Sequence, residues 1–110
     1  MRLFIDDDRP IPAGWVGART NAEAIQLLST QSIDTVSLDY DNLIRDKKGN
    51  VVKRMSFKPV AQFILELPEK LRPSNIIIHS ANLHGAQELM NMFQGKVKNL
   101  DRGLKYLGDR

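Results

Sequence analysis

A chain of 110 residues, 42% hydrophobic and 26% charged, is long enough to bury a core without disulfides or metal staples, and its mix excludes a disordered or fibrous protein. It contains no cysteine, which excludes thiol catalysis, disulfides and the usual structural zinc sites, and fits a reducing compartment. The net charge of +3 is unevenly spread: residues 1–41 hold seven acids and three bases, and residues 42–110 hold thirteen bases and six acids. That asymmetry suits a phosphate-bearing ligand drawn past a basic rim to an acidic pocket, and equally a generic basic surface. The apolar runs are far too short to span a membrane, and the opening residues lack the order of a signal peptide. The expectation is one cytoplasmic domain over residues 1–110, with no membrane partner.

In chain order, Leu3-Phe4-Ile5 reads as a buried strand that runs straight into Asp6-Asp7-Asp8. Adjacent carboxylates beside a low-dielectric sheet repel one another and call for a cation, the alternative being a solvated turn in which one Asp caps the following loop. Two prolines and Gly14 mark residues 9–14 as a loop rather than a helix. Trp15–Thr20 can form a second strand, and Thr20 to Glu23 has the spacing of a capping box that starts a helix with Ala24, Leu27 and Leu28 inward. Ile33–Leu38 is the next strand, so the strand-helix-strand order implies parallel pairing.

Between Asn42 and Arg54 the apolar pattern lapses around a turn at 46–50, giving a possible basic β-hairpin flap at 44–55. Ser56 is a plausible cap for a helix carrying Pro59 in its first turn and Val60, Phe63, Ile64 and Leu67 on one face, closed by Pro68. Asn75–Ser80 reads as a buried parallel strand. Ala86, Leu89, Met90 and Phe93 repeat the helical spacing, and Gly95 is a natural stop. A last short strand at Val97–Leu100 and a helical or frayed tail complete the reading: an open α/β sheet with helices on both faces and ligands at the carboxyl ends of the strands.

The polar clusters fall at those ends. Asp6, Asp7 and Asp39 are candidate ligands for Mg2+, a cation that takes a few carboxylates together with water and phosphate oxygens, whereas the absence of cysteine and the shortage of histidine argue against zinc. Asp39 and Asp41 lie two apart, so in an extended segment both project to one side, and either can serve as a nucleophile toward phosphorus or a base for water. His79 is a candidate proton donor, set against the ordinary role of a packed core histidine. Ser80 and Asn82 are short donors for a phosphate oxygen, and Arg9 either contacts the ligand or pairs with the acidic cluster. Trp15 is read as core packing before base stacking, and His84 as a surface residue.

With these residues placed, the chain resembles the receiver domains of two-component signalling, with Asp6 and Asp7 as the acidic pair, Asp39 at the phosphoacceptor position and Ser80 as the small hydroxyl residue. It is still more similar to cyclic-phosphate processing receiver domains. That family's pattern reads Leu-Asp-Asp-Asp-Arg-Pro, then Ser-Leu-Asp-His-Asp, then His-Ser-Ala-Asn. The chain has Phe-Ile-Asp-Asp-Asp-Arg-Pro at 4–10, Ser37-Leu38-Asp39-Tyr40-Asp41, and His79-Ser80-Ala81-Asn82. Tyr40 stands where the family pattern has histidine.

The resemblance implies a receiver-like, flavodoxin-like three-layer α/β fold with a mainly parallel central sheet and the first helix reduced to a loop. It also implies a metal-dependent phosphohydrolase acting on cyclic phosphates of nucleotides or RNA ends. Asp39, Asp41 and His79 would be the catalytic groups, Arg9, Ser80 and Asn82 the substrate contacts, and a cyclic nucleotide or an RNA with a cyclic phosphate end the partner. The alternative is a non-catalytic receiver-like module that accepts phosphate or binds cyclic nucleotides. A classical receiver also ends its fifth strand in a lysine, for which Lys96 and Lys98 are the candidates.

Overall fold

The computed structural model describes residues 1–94. The expected stop at Gly95, the strand at 97–100, the tail, and the lysines at 96 and 98 lie outside the described residues. Four short strands, β1 (Arg2–Ile5), β2 (Val16–Ala18), β3 (Thr35–Leu38) and β6 (Asn75–Ile78), form one sheet in the order β2-β1-β3-β6. Every pairing is parallel, with Leu3 opposite Val16 on one side and Val36 on the other, and Val36 opposite Ile76. The chain winds outward from β1 in both directions, so the carboxyl ends of β1 and β3 border the switch point where α/β sheets open a crevice.

Alternation along the strands separates two faces. Leu3, Ile5, Val36, Leu38 and Ile78 share one core with three helices: α1 (Asn21–Thr30), α2 (Lys58–Glu66) and α3 (Leu83–Met92). Phe4 lies on the other face with Ile11, Trp15 and Ile77. Helices were expected on both faces. Among the described residues they cover one, and loop residues cover the second, as the reduction of a first helix to a loop requires. Trp15 meets Phe4 edge-on at 6.1 Å between ring centroids, with the Arg2 guanidinium 5.1 Å above its own ring, so its aromatic surface is used in packing.

The helices follow their sequence signals with local differences. Thr20 caps α1 by accepting the Glu23 N–H, while the Glu23 carboxylate accepts from the Arg19 N–H, which joins β2 to the helix start. Ala24 is the fully buried residue of α1, and Leu27 and Leu28 pack partly buried against the core. Ser56 does not cap α2. It closes the preceding strand, the buried Phe57 occupies the cap position without a side-chain bond, and Ser56 Oγ instead accepts the Lys58 N–H at 3.3 Å. Gln94, at φ 58°, takes the left-handed position after α3. No helix among the described residues is long and apolar enough to cross a membrane.

The expected flap is a two-stranded antiparallel hairpin, β4 (Asp41–Arg45) and β5 (Val51–Ser56), with Asp41 opposite Ser56. It is longer at its base than the sequence indicated, so Asp41 belongs to β4 rather than to the end of β3. Its turn is closed by Asp46, whose Oδ1 accepts the N–H of Lys48 and of Asn50 at 2.9 Å each, and by Gly49 at φ 87°.

One close approach joins β3 to α3. Tyr40 lies against Gly85 in the first turn of α3, where a Cβ would overlap its ring, and donates its hydroxyl to Glu88 at 2.7 Å. Gly85→Ala should therefore lower stability by about 1–3 kcal/mol through overpacking, measured by urea denaturation. An unchanged midpoint would refute this contact.

Candidate functional site

The chemistry gathers where β1, β3 and β6 end side by side. Asp6 follows β1 and is 1% exposed. A buried carboxylate survives only with partners, and Asp6 has several. Its Oδ1 accepts the N–H of Asp8 and of Arg9 at 2.8 Å each, and its Oδ2 faces His79 Nε2 at 3.0 Å and Arg9 Nε at 3.7 Å. The turn that supplies the backbone donors is held by Arg19, whose Nη1 donates to the carbonyls of Asp6 at 3.1 Å and Arg9 at 2.6 Å. Burial alone pushes the Asp6 pKa up. The His79 hydrogen bond and the two N–H donors outweigh it and hold the carboxyl below its ordinary range.

His79 follows β6 and is fully buried. Its ring stacks on Phe4 with centroids 4.3 Å apart and planes 8° from parallel, and its Nδ1 lies 2.6 Å from Ser37 Oγ. Because ionised Asp6 can only accept, His79 Nε2 carries the proton between them, and in the neutral ring Nδ1 accepts from the Ser37 hydroxyl. Asp6, His79 and Ser37 thus form a hydrogen-bonded chain linking β1, β6 and β3.

Asp39 follows β3, with Oδ1 accepting the Tyr40 N–H at 2.7 Å. Burial and the nearby Asp6 charge push its pKa up to about 8. Ligand atoms of Asp6, Asp39 and His79 all lie within 4.8 Å of one another. Two carboxylates, one of them kept from ionising by burial and by the charge of the other, fit a hard divalent cation such as Mg2+, which would relieve that repulsion. His79, with both ring nitrogens engaged, sits behind Asp6 as its support.

The remaining predicted residues are placed around this centre. Asp7 is half-buried, and its Oδ2 accepts the Leu43 N–H at 2.8 Å, tying the hairpin to the strand end. Burial raises its pKa foremost and the Asp6 charge adds to this, with Leu43 partly opposing. Asp8 is exposed. Asp41 stands at the hairpin base, its Oδ1 3.4 Å from Asn82 Nδ2. Asn82 caps α3 through the Gly85 N–H at 2.9 Å, and buried Ser80 accepts the Asn82 N–H at 3.1 Å. His84 is on the surface, its side chain 89% exposed.

Two residues escaped the sequence reading. A single hydroxyl between Val36 and Leu38 in an otherwise apolar buried strand was the signal for Ser37, since such a group needs a partner. Arg19 gave no signal, because its partners are backbone carbonyls thirteen and ten residues away.

The family model for the cyclic-phosphate processing receiver domain matches residues 1–95. No curated protein and no solved structure matches the chain.

Two outcomes follow from the geometry. Without added cations, stability should fall as pH rises from the ordinary carboxylate value of 3.8 to about 8, because the folded state retains the Asp39 proton that the unfolded chain releases. Asp39→Asn should flatten that fall when urea unfolding is compared at about pH 5 and about pH 8.5; an equal slope in both proteins would contradict the Asp39 assignment. Ser37→Ala should cost about 1–3 kcal/mol by leaving His79 Nδ1 buried without its partner. A neutral effect would remove Ser37 from the chain of contacts.

Proposed function

The chain belongs to the family of cyclic-phosphate processing receiver domains, and from that premise we propose that it is a Mg2+-dependent phosphohydrolase that opens a cyclic phosphate on a nucleotide or an RNA end. The observation that carries this reading is the cluster of Asp6, Asp39 and His79 at the switch point of the sheet, with Asp39 held protonated near neutrality by burial and by the Asp6 charge. Asp6 and Asp39 would hold Mg2+, with the Asp7 charge beside them, and the ion would supply charge neutralisation at a phosphate oxygen. Arg9 is half-buried beside Asp6 and is suited to steady a phosphate oxygen, while Ser80 and Asn82 stand at the start of α3.

In the reaction a water oxygen bonds to phosphorus, one of the two P–O bonds of the ring breaks, and the released ribose oxygen takes a proton, leaving a monoester. Asp41, half-buried at the base of the hairpin, would accept the proton of the attacking water. His79 serves this chemistry through Asp6: its full burial and its two ring contacts make it a positioning residue rather than a proton donor to substrate.

That burial favours a second reading, a non-catalytic module that binds the cyclic phosphate or accepts phosphate on Asp39. 31P NMR with a 2',3'-cyclic nucleotide, first with Mg2+ and then with chelator, separates the two. The hydrolase gives a monoester resonance that chelator stops and that Asp39→Asn slows by about 100-fold or more. Line broadening without conversion would establish the binding module, and no response at all would overturn both.

A further inference from the structure

The hairpin carries a charge that nothing else in the fold uses. Arg45, Lys47, Lys48, Lys53 and Arg54 lie on β4, β5 and their turn, all exposed, against two acids, Asp41 at the hairpin base and Asp46, whose carboxylate already closes the turn. Among the described residues Lys47, Lys48, Lys53 and Arg54 make no ion pair. Like charges crowded onto a two-stranded ribbon repel one another and weaken it, so the arrangement calls for an external polyanion.

The hairpin is also anchored at the candidate site. Leu43 donates to Asp7, Asn82 reaches Asp41 at 3.4 Å, the Phe57 N–H donates to the Tyr40 carbonyl at 2.7 Å, and Asn21 Nδ2 donates to the Ser56 carbonyl at 3.0 Å. The cations therefore begin where the carboxylates end. A strand of phosphates approaching Asp6, Asp7 and Asp41 meets repulsion from the site itself, and a basic ribbon rooted beside it offsets that repulsion for a polymer but not for a mononucleotide held wholly within the site.

We propose that the β4–β5 hairpin grips the sugar–phosphate backbone of a single-stranded RNA whose end lies in the carboxylate site, which makes an oligonucleotide end the preferred substrate over a cyclic mononucleotide. This rests on the cyclic-phosphate reading above. No aromatic side chain lies on the hairpin, and its exposed apolar residues, Ile44, Val52 and Met55, are aliphatic. The grip is therefore by charge on phosphates, indifferent to base sequence, rather than by stacking.

The test is fluorescence anisotropy of a labelled RNA oligomer with a 2',3'-cyclic phosphate end, with chelator present so that the end survives, over a range of salt. The wild-type chain is compared with the Lys47→Gln, Lys48→Gln, Lys53→Gln, Arg54→Gln variant and with the Lys47→Gln, Lys48→Gln pair, each verified as folded by circular dichroism. Turnover of a 2',3'-cyclic mononucleotide with Mg2+ is measured alongside. The fourfold variant should bind RNA about 10- to 100-fold more weakly at low salt and lose about 3 from the slope of log K against log salt, the pair should lose about half of that slope, and mononucleotide turnover should stay at the wild-type rate. Wild-type RNA affinity and salt slope in the fourfold variant would overturn the proposal. So would hairpin-dependent binding to anionic lipid vesicles in place of RNA. Hairpin-dependent RNA binding by a protein that, with Mg2+, turns over neither the mononucleotide nor the cyclic phosphate end of the RNA would uphold the grip and retire the hydrolase reading instead.

Discussion

The structure depends on how one buried charge is kept. Asp6 lies at the end of the central strand with almost no solvent contact, and an uncompensated carboxylate there would cost several kcal/mol. Its compensation comes from three directions: two backbone N–H groups of the turn that follows, the edge of the Arg9 guanidinium, and the His79 ring from two strands away. Ser37 then fixes the far side of that ring from the strand between them. The register of β1, β3 and β6 is thus matched by a polar chain across the same three strands, and slipping any of them by one residue would leave a buried polar group without its partner.

The second consequence is electrical. Asp6 is stabilised as an anion so effectively that its neighbour Asp39 is not, and burial and the Asp6 charge together hold the Asp39 proton to about pH 8. A site in which one carboxylate is fixed and the next is held back would suit the cation proposed above, which would release the second proton. The parallel sheet supplies the place, because β1 is its inner strand at the switch point and its end opens beside that of β3. Asp7 adds a mechanical role: by accepting from Leu43 it couples the acidic cluster to the basic hairpin.

Much of this was legible in the chain. Apolar runs ending in carboxylates located β1 and β3, the Ile76–Ile78 run located β6, and the Thr20–Glu23 spacing and the periods of α2 and α3 located the helices, although α3 begins at Leu83, three residues before the first apolar position read from the sequence. What local pattern could not give was partnership. Nothing near His79 indicates that both its ring nitrogens are occupied, since its partners are 42 and 73 residues away. Asp39 and Asp41 share a strand-like spacing, yet the chain turns between them into the hairpin, so one joins the cluster and the other faces Asn82. Ser56 has the composition of a helix cap, but Phe57, drawn into the core, takes that position. Ser80 and Asn82, read as phosphate donors, also serve each other and the start of α3, a local use that sequence alone does not distinguish from ligand binding.

The most direct test of this account is isothermal titration calorimetry of Mn2+ or Mg2+ near neutral pH in buffers of different ionisation enthalpy, which counts the protons exchanged on binding. If the cation takes its place between ionised Asp6 and protonated Asp39, about one proton leaves for each ion bound, affinity rises with pH, and Asp39→Asn abolishes the release. Cation binding with no proton release, or release that persists in Asp39→Asn, would contradict the account.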